Sequence, residues 1–279
     1  MLTMEDMFNN FKFTMSGLEK GLQVIHITTP VSQLLCCEHD EDIEAVLTRS
    51  DLKPFDQIPV KDHETIIGLL KRREVSKEAK GLAREHMQRL GEKILVSADT
   101  PLLEFIQGDS LDRIVIGGTT IYGLVTRSDF LKLPMFLLGF ALVTHVEALM
   151  VNIIHTTGIS ENTWLGWLDP DRSQEVRDRF NALMNQRSDI DMLGLTYFTD
   201  KRRILQKLVV LEGHIAFLPD KVFIDQLKEI KELRNTIAHT GNIADNHNIL
   251  QKFINRLNIT YTWIKDIEQW QKVHVNISH

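Results

Sequence analysis

Cysteine is nearly missing from this chain: two occur in 279 residues, and they are adjacent, Cys36 and Cys37. Adjacent cysteines give neither a disulfide framework nor a zinc-ligand spacing. They read as small buried apolar residues, and a reducing cytoplasm is the compartment such usage fits. An excess of positive charge is missing too. The 32 Lys and Arg are outnumbered by 38 Asp and Glu, for a formal charge of −6. A generally basic surface for duplex nucleic acid is therefore not expected, although a local basic groove is compatible with these numbers. No His/Cys/Asp cluster with metal spacing occurs, so no metal and no required cofactor are expected. Residues 1–20 carry Glu5 and Asp6 and lack an apolar core, which argues against a secretory signal. Residues 135–154 are strongly apolar, but the uninterrupted part ends at Val143, and His145, Glu147 and Asn152 follow. A buried bundle helix, with no membrane partner, is the expectation for that segment.

What is present begins with an internal repeat. Phe55-Asp56-Gln57-Ile58-Pro59-Val60 matches Leu111-Asp112-Arg113-Ile114-Val115-Ile116. Each run leads through turn residues into a second apolar run, with Gly68 in one and Gly123 in the other, 55 residues apart. Asp56 and Asp112 are 56 apart, which makes the first turn one residue longer. Two apolar runs around turn residues predict a hairpin. Helices are predicted before each hairpin, over 40–47 and 101–105, and after the first, over 76–90. The tetrapeptide Thr48-Arg49-Ser50-Asp51 is identical to Thr126-Arg127-Ser128-Asp129, but it precedes its hairpin where the other follows one. The identity is coincidental, and Lys71-Arg72-Arg73-Glu74 is the true counterpart of the second copy.

This two-unit pattern resembles a pair of CBS domains, a Bateman module, over residues 21–134, after an N-terminal segment 1–20. The clearest motif is Gly123-Leu124-Val125-Thr126-Arg127-Ser128-Asp129. The resemblance implies an adenine nucleotide, AMP, ADP, ATP or another adenosine compound, as regulatory ligand. Thr126 and Arg127 would meet its phosphate at a helix start, where backbone N–H groups are free. Asp129 would accept from the ribose hydroxyls, and Val96 and Ile116 would flank the adenine. The first repeat departs from the motif, with Lys71 for Thr126 and Glu74 for Asp129, so one working site is expected. The alternative is a scaffold in which Thr126 and Asp129 only cap a helix.

Beyond Pro134 the pattern turns all-helical, with helices predicted over 135–155, 173–185, 200–215, 220–239 and 247–270. Asp200 and Asp220 are the expected N-caps, and Gly241 is a stop signal. The loop 158–171 holds Trp164 and Trp167. The expected fold is therefore α+β: the tandem repeat followed by a helical bundle over 135–279. No low-complexity linker separates the halves, so a stiff connection is expected.

On the fourth of these helices, Leu227, Ile230, Leu233 and Ile237 form an apolar stripe. Lys228, Glu232, Asn235 and His239 lie on another face. Arg234-Asn235 followed by His239 resembles the motif of the HEPN superfamily, whose ribonucleases carry Arg and His four to six positions apart; the early acidic residue would be Glu147. The resemblance implies a metal-independent endoribonuclease acting on single-stranded RNA by 2′-OH attack, with Arg234, Asn235 and His239 catalytic, in stress or antiviral defence. The residue types suit that chemistry. His exchanges protons near neutral pH, and Arg presents a permanently charged fork to phosphate. One His per chain leaves a second proton-transfer group to be found, and the resemblance supplies it through a homodimer. The competing reading of the residues is Arg234 in surface ion pairs and His239 favoured at a helix end by the macrodipole. At the level of the whole chain, the alternative is a non-catalytic, nucleotide-sensing regulator that binds RNA or protein.

Overall fold

The computed structural model describes residues 16–18, 20–76, 78–184, 190–212, 220–238 and 247–275. Its contacts divide into two units, one spanning Ser16–Phe136 and one that takes in Leu137 onward. The first is mixed α and β, and the second is helical.

In the first unit each repeat builds the same four-stranded sheet. In one sheet β2 (Cys37–Glu38) runs parallel to β3 (Gln57–Asp62), β3 pairs antiparallel with β4 (Thr65–Lys71), and β4 with β5 (Gln88–Arg89). In the other, β6 (Leu95–Ser97) runs parallel to β7 (Arg113–Gly117), β7 pairs antiparallel with β8 (Thr120–Val125), and β8 with β1 (Thr29–Pro30). The parallel pairs are joined by short helices, α1 (Ile43–Thr48) and α3 (Leu102–Phe105). Asp42 caps α1 by accepting from the Glu44 and Ala45 amides, which fits its place at the N-cap.

The ladders correct the sequence register. Val60 pairs with Gly68 and Val115 with Gly123; at the tips, Asp62 pairs with Thr65 and Gly117 with Thr120. Both turns thus have two central residues, and the repeats stay 55 positions apart along the whole hairpin. The match that sets Asp56 against Asp112 is one residue out of step with the ladder. Apolar runs look alike when slid by one, whereas pairing reverses every face. A bulge at Val60/Lys61 in one hairpin recurs at Val115/Ile116 in the other. The first turn residue has positive φ in both, His63 at 53° and Gly118 at 59°, as the tight hairpin turn requires.

The helix predicted over 76–90 is reduced to α2 (Ala83–His86). Gly81 at φ 99° breaks it on one side, and on the other the chain becomes β5, bonded to β4. Gly68 makes that approach possible, since a Cβ there would lie 2.6 Å from the Gln88 carbonyl oxygen. Gly123 stands at the same place in the second repeat, where a Cβ would overlap the Thr29 carbonyl. Gly123→Ala is therefore expected to push β1 off β8 and lower stability by about 1–3 kcal/mol, the usual range for overpacking. A thermal melt unchanged from wild type would contradict this.

The first repeat's core gathers Cys37, Ile43, Val46, Leu52, Ile58, Val60, Leu70 and Ala83. Burial, with Glu41 nearby, pushes the Cys37 thiol up to about 12, which suits the apolar role read from the sequence. A second cluster joins the two sheets, with Ile66 and Leu69 of β4 meeting Ile114 and Leu124 of β7 and β8. Ile66 and Leu69 are the repeat counterparts of Ile121, packed on the same cluster, and Leu124, so the repeats use matching faces of β4 and β8. Arg49, from the tetrapeptide read as coincidental, serves structure: it bonds Glu41, Asp51 and the Cys36 carbonyl.

The helical unit is organised on α4 (Leu133–Thr156). Among the described residues it is the one helix long and apolar enough to cross a membrane. Here it serves as a core helix, with Leu138, Leu142, Val146, Leu149, Met150 and Ile153 fully buried. Short α5 (Glu161–Leu165) carries the buried Trp164 within the predicted loop. Then come α6 (Pro170–Met184), α7 (Phe198–Glu212), α8 (Asp220–Ala238) and α9 (His247–Val275). α8 packs on α7 and α9. Gly139 of α4 lets both α8 and α9 approach, because a Cβ there would meet Ile237 at 2.8 Å and Leu257 at 3.2 Å. Asp200 is not the N-cap of α7. It lies inside the first turn and accepts from the Tyr197 amide at 2.8 Å, the reciprocal half of a capping box.

Candidate functional site

Two places in the chain carry the residues singled out by sequence, one in each unit. The first is the end of β8. Thr126 follows the strand as N-cap of a short 3-10 helix, Arg127–Leu131. Asp129 is buried, with both oxygens occupied. Oδ2 accepts from the Thr126 amide at 2.6 Å and the Thr126 hydroxyl at 3.0 Å. Oδ1 accepts from the Thr29 hydroxyl at 2.9 Å and meets the Lys132 ammonium at 2.7 Å. The Thr126 hydroxyl also lies 2.9 Å from that of Ser128. Arg127 is exposed, and its amide reaches Asp112 Oδ1 at 3.3 Å. The capping role weighed in the sequence reading is thus present, and the carboxylate also ties β1 to the end of β8.

The two apolar residues expected around an adenine do not share a face. The register pairs Val96 with Val115 and Ser97 with Ile116. Paired residues point the same way and successive ones alternate. Ile116 therefore lies on the face of Leu95 and Ile114, against the cluster between the sheets, and Val96 on the opposite face. Successive apolar positions on adjacent strands look equivalent in sequence, and only the register separates them. In the first repeat, Lys71 pairs with Glu74 at 3.4 Å and Gln88 donates to Glu74 at 2.9 Å. Glu74 there is engaged at its own strand end, but its side chain is 58% exposed where that of Asp129 is 7%. Arg72, in the place of Arg127, donates to the carbonyls of Leu47, Leu52 and Phe55.

The second place is a charged cluster in the helical unit. Arg234 of α8 meets Glu147 of α4 through Nε, 3.5 Å from Oε1. Lys201 of α7 lies 3.8 Å from the other Glu147 oxygen. Three helices thus converge on one carboxylate, with two cations about it. Lys201 is buried and donates to the Thr196 carbonyl at 2.6 Å. Burial holds its pKa below the usual lysine range, opposed by the charges of Glu147, Asp200 and Asp191. Asp200 in turn holds Arg172 at 2.8 Å. Arg234 remains half in solvent, with 51% of its side chain exposed. Asn235 beside it is half-buried. His239 lies outside the described residues.

Sequence reasoning missed Thr29, Lys132 and Lys201. Lys132 carried a signal, as a cation three residues after Asp129. Thr29, 100 positions from Asp129, carried none. Lys201 carried none either, because nothing in local sequence marks the side of α7 that faces α4.

No family model matches the chain, and no curated protein matches it. Solved structures do show likeness. CBSX2 in complex with AMP is 17% identical, with 38% of this chain and 91% of that one covered at a TM-score of 0.33. The CBS domains of a transcriptional regulator from Streptococcus pneumoniae are 19% identical, covering 38% and 94% at 0.33. The CBS domain of a bacterial CNNM/CorC family Mg2+ transporter in complex with ATP is 19% identical, covering 43% and 90% at 0.34. All three are CBS-domain structures, and each likeness spans less than half of this chain.

Proposed function

We propose that the chain is an adenine-nucleotide-regulated, metal-independent endoribonuclease, cytoplasmic and homodimeric, with a CBS-like pair as sensor and a HEPN-like bundle as effector. The observation that carries this reading is the convergence of Arg234 and Lys201 on Glu147. It sets a half-exposed guanidinium against the early acidic helix, on the helix that bears Asn235. Of the two cations on that carboxylate, Arg234 is the one open to a phosphate, with 51% of its side chain exposed.

In the proposed reaction a base removes the proton of the ribose 2′-OH, and that oxygen attacks the adjacent phosphorus. The bond to the 5′-oxygen breaks, and an acid protonates it. The products are a 2′,3′-cyclic phosphate and a 5′-hydroxyl. His239 exchanges protons at one end of this transfer, and His239 of a second copy at the other. Arg234 balances charge on the phosphate as it builds, and Asn235 orients His239 or holds the phosphate. Exposure of Leu137 and Phe140 on α4 supports a second copy, since adjoining apolar surface of this kind marks association. At the sensor, the ligand is AMP, ADP, ATP or a related adenosine compound, with Thr126 and Arg127 toward phosphate and Asp129 toward ribose.

The test is cleavage of single-stranded RNA in EDTA, with and without each adenine nucleotide. Fragments ending in cyclic phosphate, formed at a rate that nucleotide changes, are expected. Intact RNA under every condition would overturn the nuclease. A second reading, a non-catalytic regulator, is favoured by the internal engagement of both Asp129 and Arg234. It predicts nucleotide-dependent binding of RNA or a protein without cleavage.

A further inference from the structure

The carboxylate assigned to the ribose already holds a cation of its own chain. We propose that Lys132 is a built-in competitor for Asp129: ribose hydroxyls displace its ammonium from the carboxylate, and the freed lysine releases the first turn of α4. This inference rests on the nucleotide-site reading of the Thr126–Asp129 segment.

The geometry defines a closed state. Lys132 Nζ lies 2.7 Å from Asp129 Oδ1, 2.7 Å from the Ile27 carbonyl oxygen and 3.2 Å from the Thr29 hydroxyl. Asp129 Oδ2 is held by the Thr126 amide and hydroxyl, so Oδ1 is the end at which partners exchange. Of the two charged side chains, Asp129 is 7% exposed and Lys132 39%. The lysine is therefore the partner with a path to water, where its ammonium regains hydration on leaving. A carboxylate deprived of Lys132 keeps acceptor capacity for a diol.

The position of Lys132 turns displacement into a signal. Its amide donates to the Asp129 carbonyl at 3.1 Å, and its carbonyl accepts from the Met135 amide at 3.0 Å. It is thus the link between the 3-10 helix and α4, which begins at the next residue, Leu133. A lysine bound to Asp129, Ile27 and Thr29 fixes that link to β1, and a lysine in solvent does not. Ligand shifts this equilibrium only by binding the open form better, and its apparent affinity falls by the open fraction.

The experiment is calorimetric titration of the full chain with AMP, ADP and ATP, for wild type, Lys132→Met and Lys132→Arg. Removing the competitor while keeping side-chain length should tighten binding of the nucleotide that wild type takes by about tenfold or more, and Lys132→Arg should not. Equal or weaker binding by folded Lys132→Met overturns the proposal and leaves the nucleotide site standing. Failure of every protein to bind any of the three overturns both. Should Lys132→Met fail to fold, amide hydrogen exchange of wild type decides. Exchange at Met135 should speed up on nucleotide binding, and unchanged or slower exchange overturns the release.

Discussion

His239→Ala is expected to lower RNA cleavage in EDTA by about 100-fold or more, the contribution of a positioned acid–base group. Arg234→Ala should cost a comparable factor, about 100–1,000-fold, because it removes fixed charge aimed at a developing oxyanion. Neither change should unfold the protein. The Arg234–Glu147 pair is half solvated and joined at 3.5 Å, and pairs of this kind contribute at most about 1 kcal/mol. When Arg234 is removed, Glu147 keeps Lys201 at 3.8 Å, so no carboxylate is stranded. Arg234→Lys should restore little activity, since an ammonium is a point charge and cannot present a planar fork. Initial rates beside thermal melts check this. An Arg234→Ala protein that melts with wild type and cleaves at its rate would remove Arg234 from the mechanism.

The parts of this fold that were legible in sequence are those with a long pattern. The five long helices of the second half lie near their predicted bounds because each runs for four or more turns without strand alternation. The hairpins were legible from their turns and glycines, but their register was not. β1 and β5 left no trace: two residues are too few for alternation, and both pair by backbone against a glycine. Residues 76–90 read as one helix, and pairing with β4 overrode that local reading. The candidate sites were half legible. Residue types such as Arg234 and Asp129 announce chemistry, but Glu147, Lys201 and Arg234 come from three helices far apart in sequence, and only packing brings them together. The occupied state of Asp129 was hidden for the same reason, since one of its four contacts comes from Thr29, 100 positions away.

That occupancy decides what Asp129→Ala does. The variant should melt well below wild type, by about 3 kcal/mol of stability, because several hydrogen bonds to one buried charged group are lost together. The Thr126 amide, the Thr126 and Thr29 hydroxyls and the Lys132 ammonium all lose their acceptor. The cost is not the net worth of the ion pair. Removing one partner leaves the other in place without its countercharge, whereas replacing both is far milder. Asp129→Ala combined with Lys132→Met should therefore recover part of the lost stability, and the shortfall measures the bonds to Thr126 and Thr29. Loss of nucleotide binding in Asp129→Ala alone would confound a missing ribose acceptor with a loosened β1. The double variant separates them: recovered stability with binding still absent assigns the loss to the acceptor. A single variant that melts with wild type would mean that the carboxylate holds nothing together, and the latch between β1 and the end of β8 would be refuted.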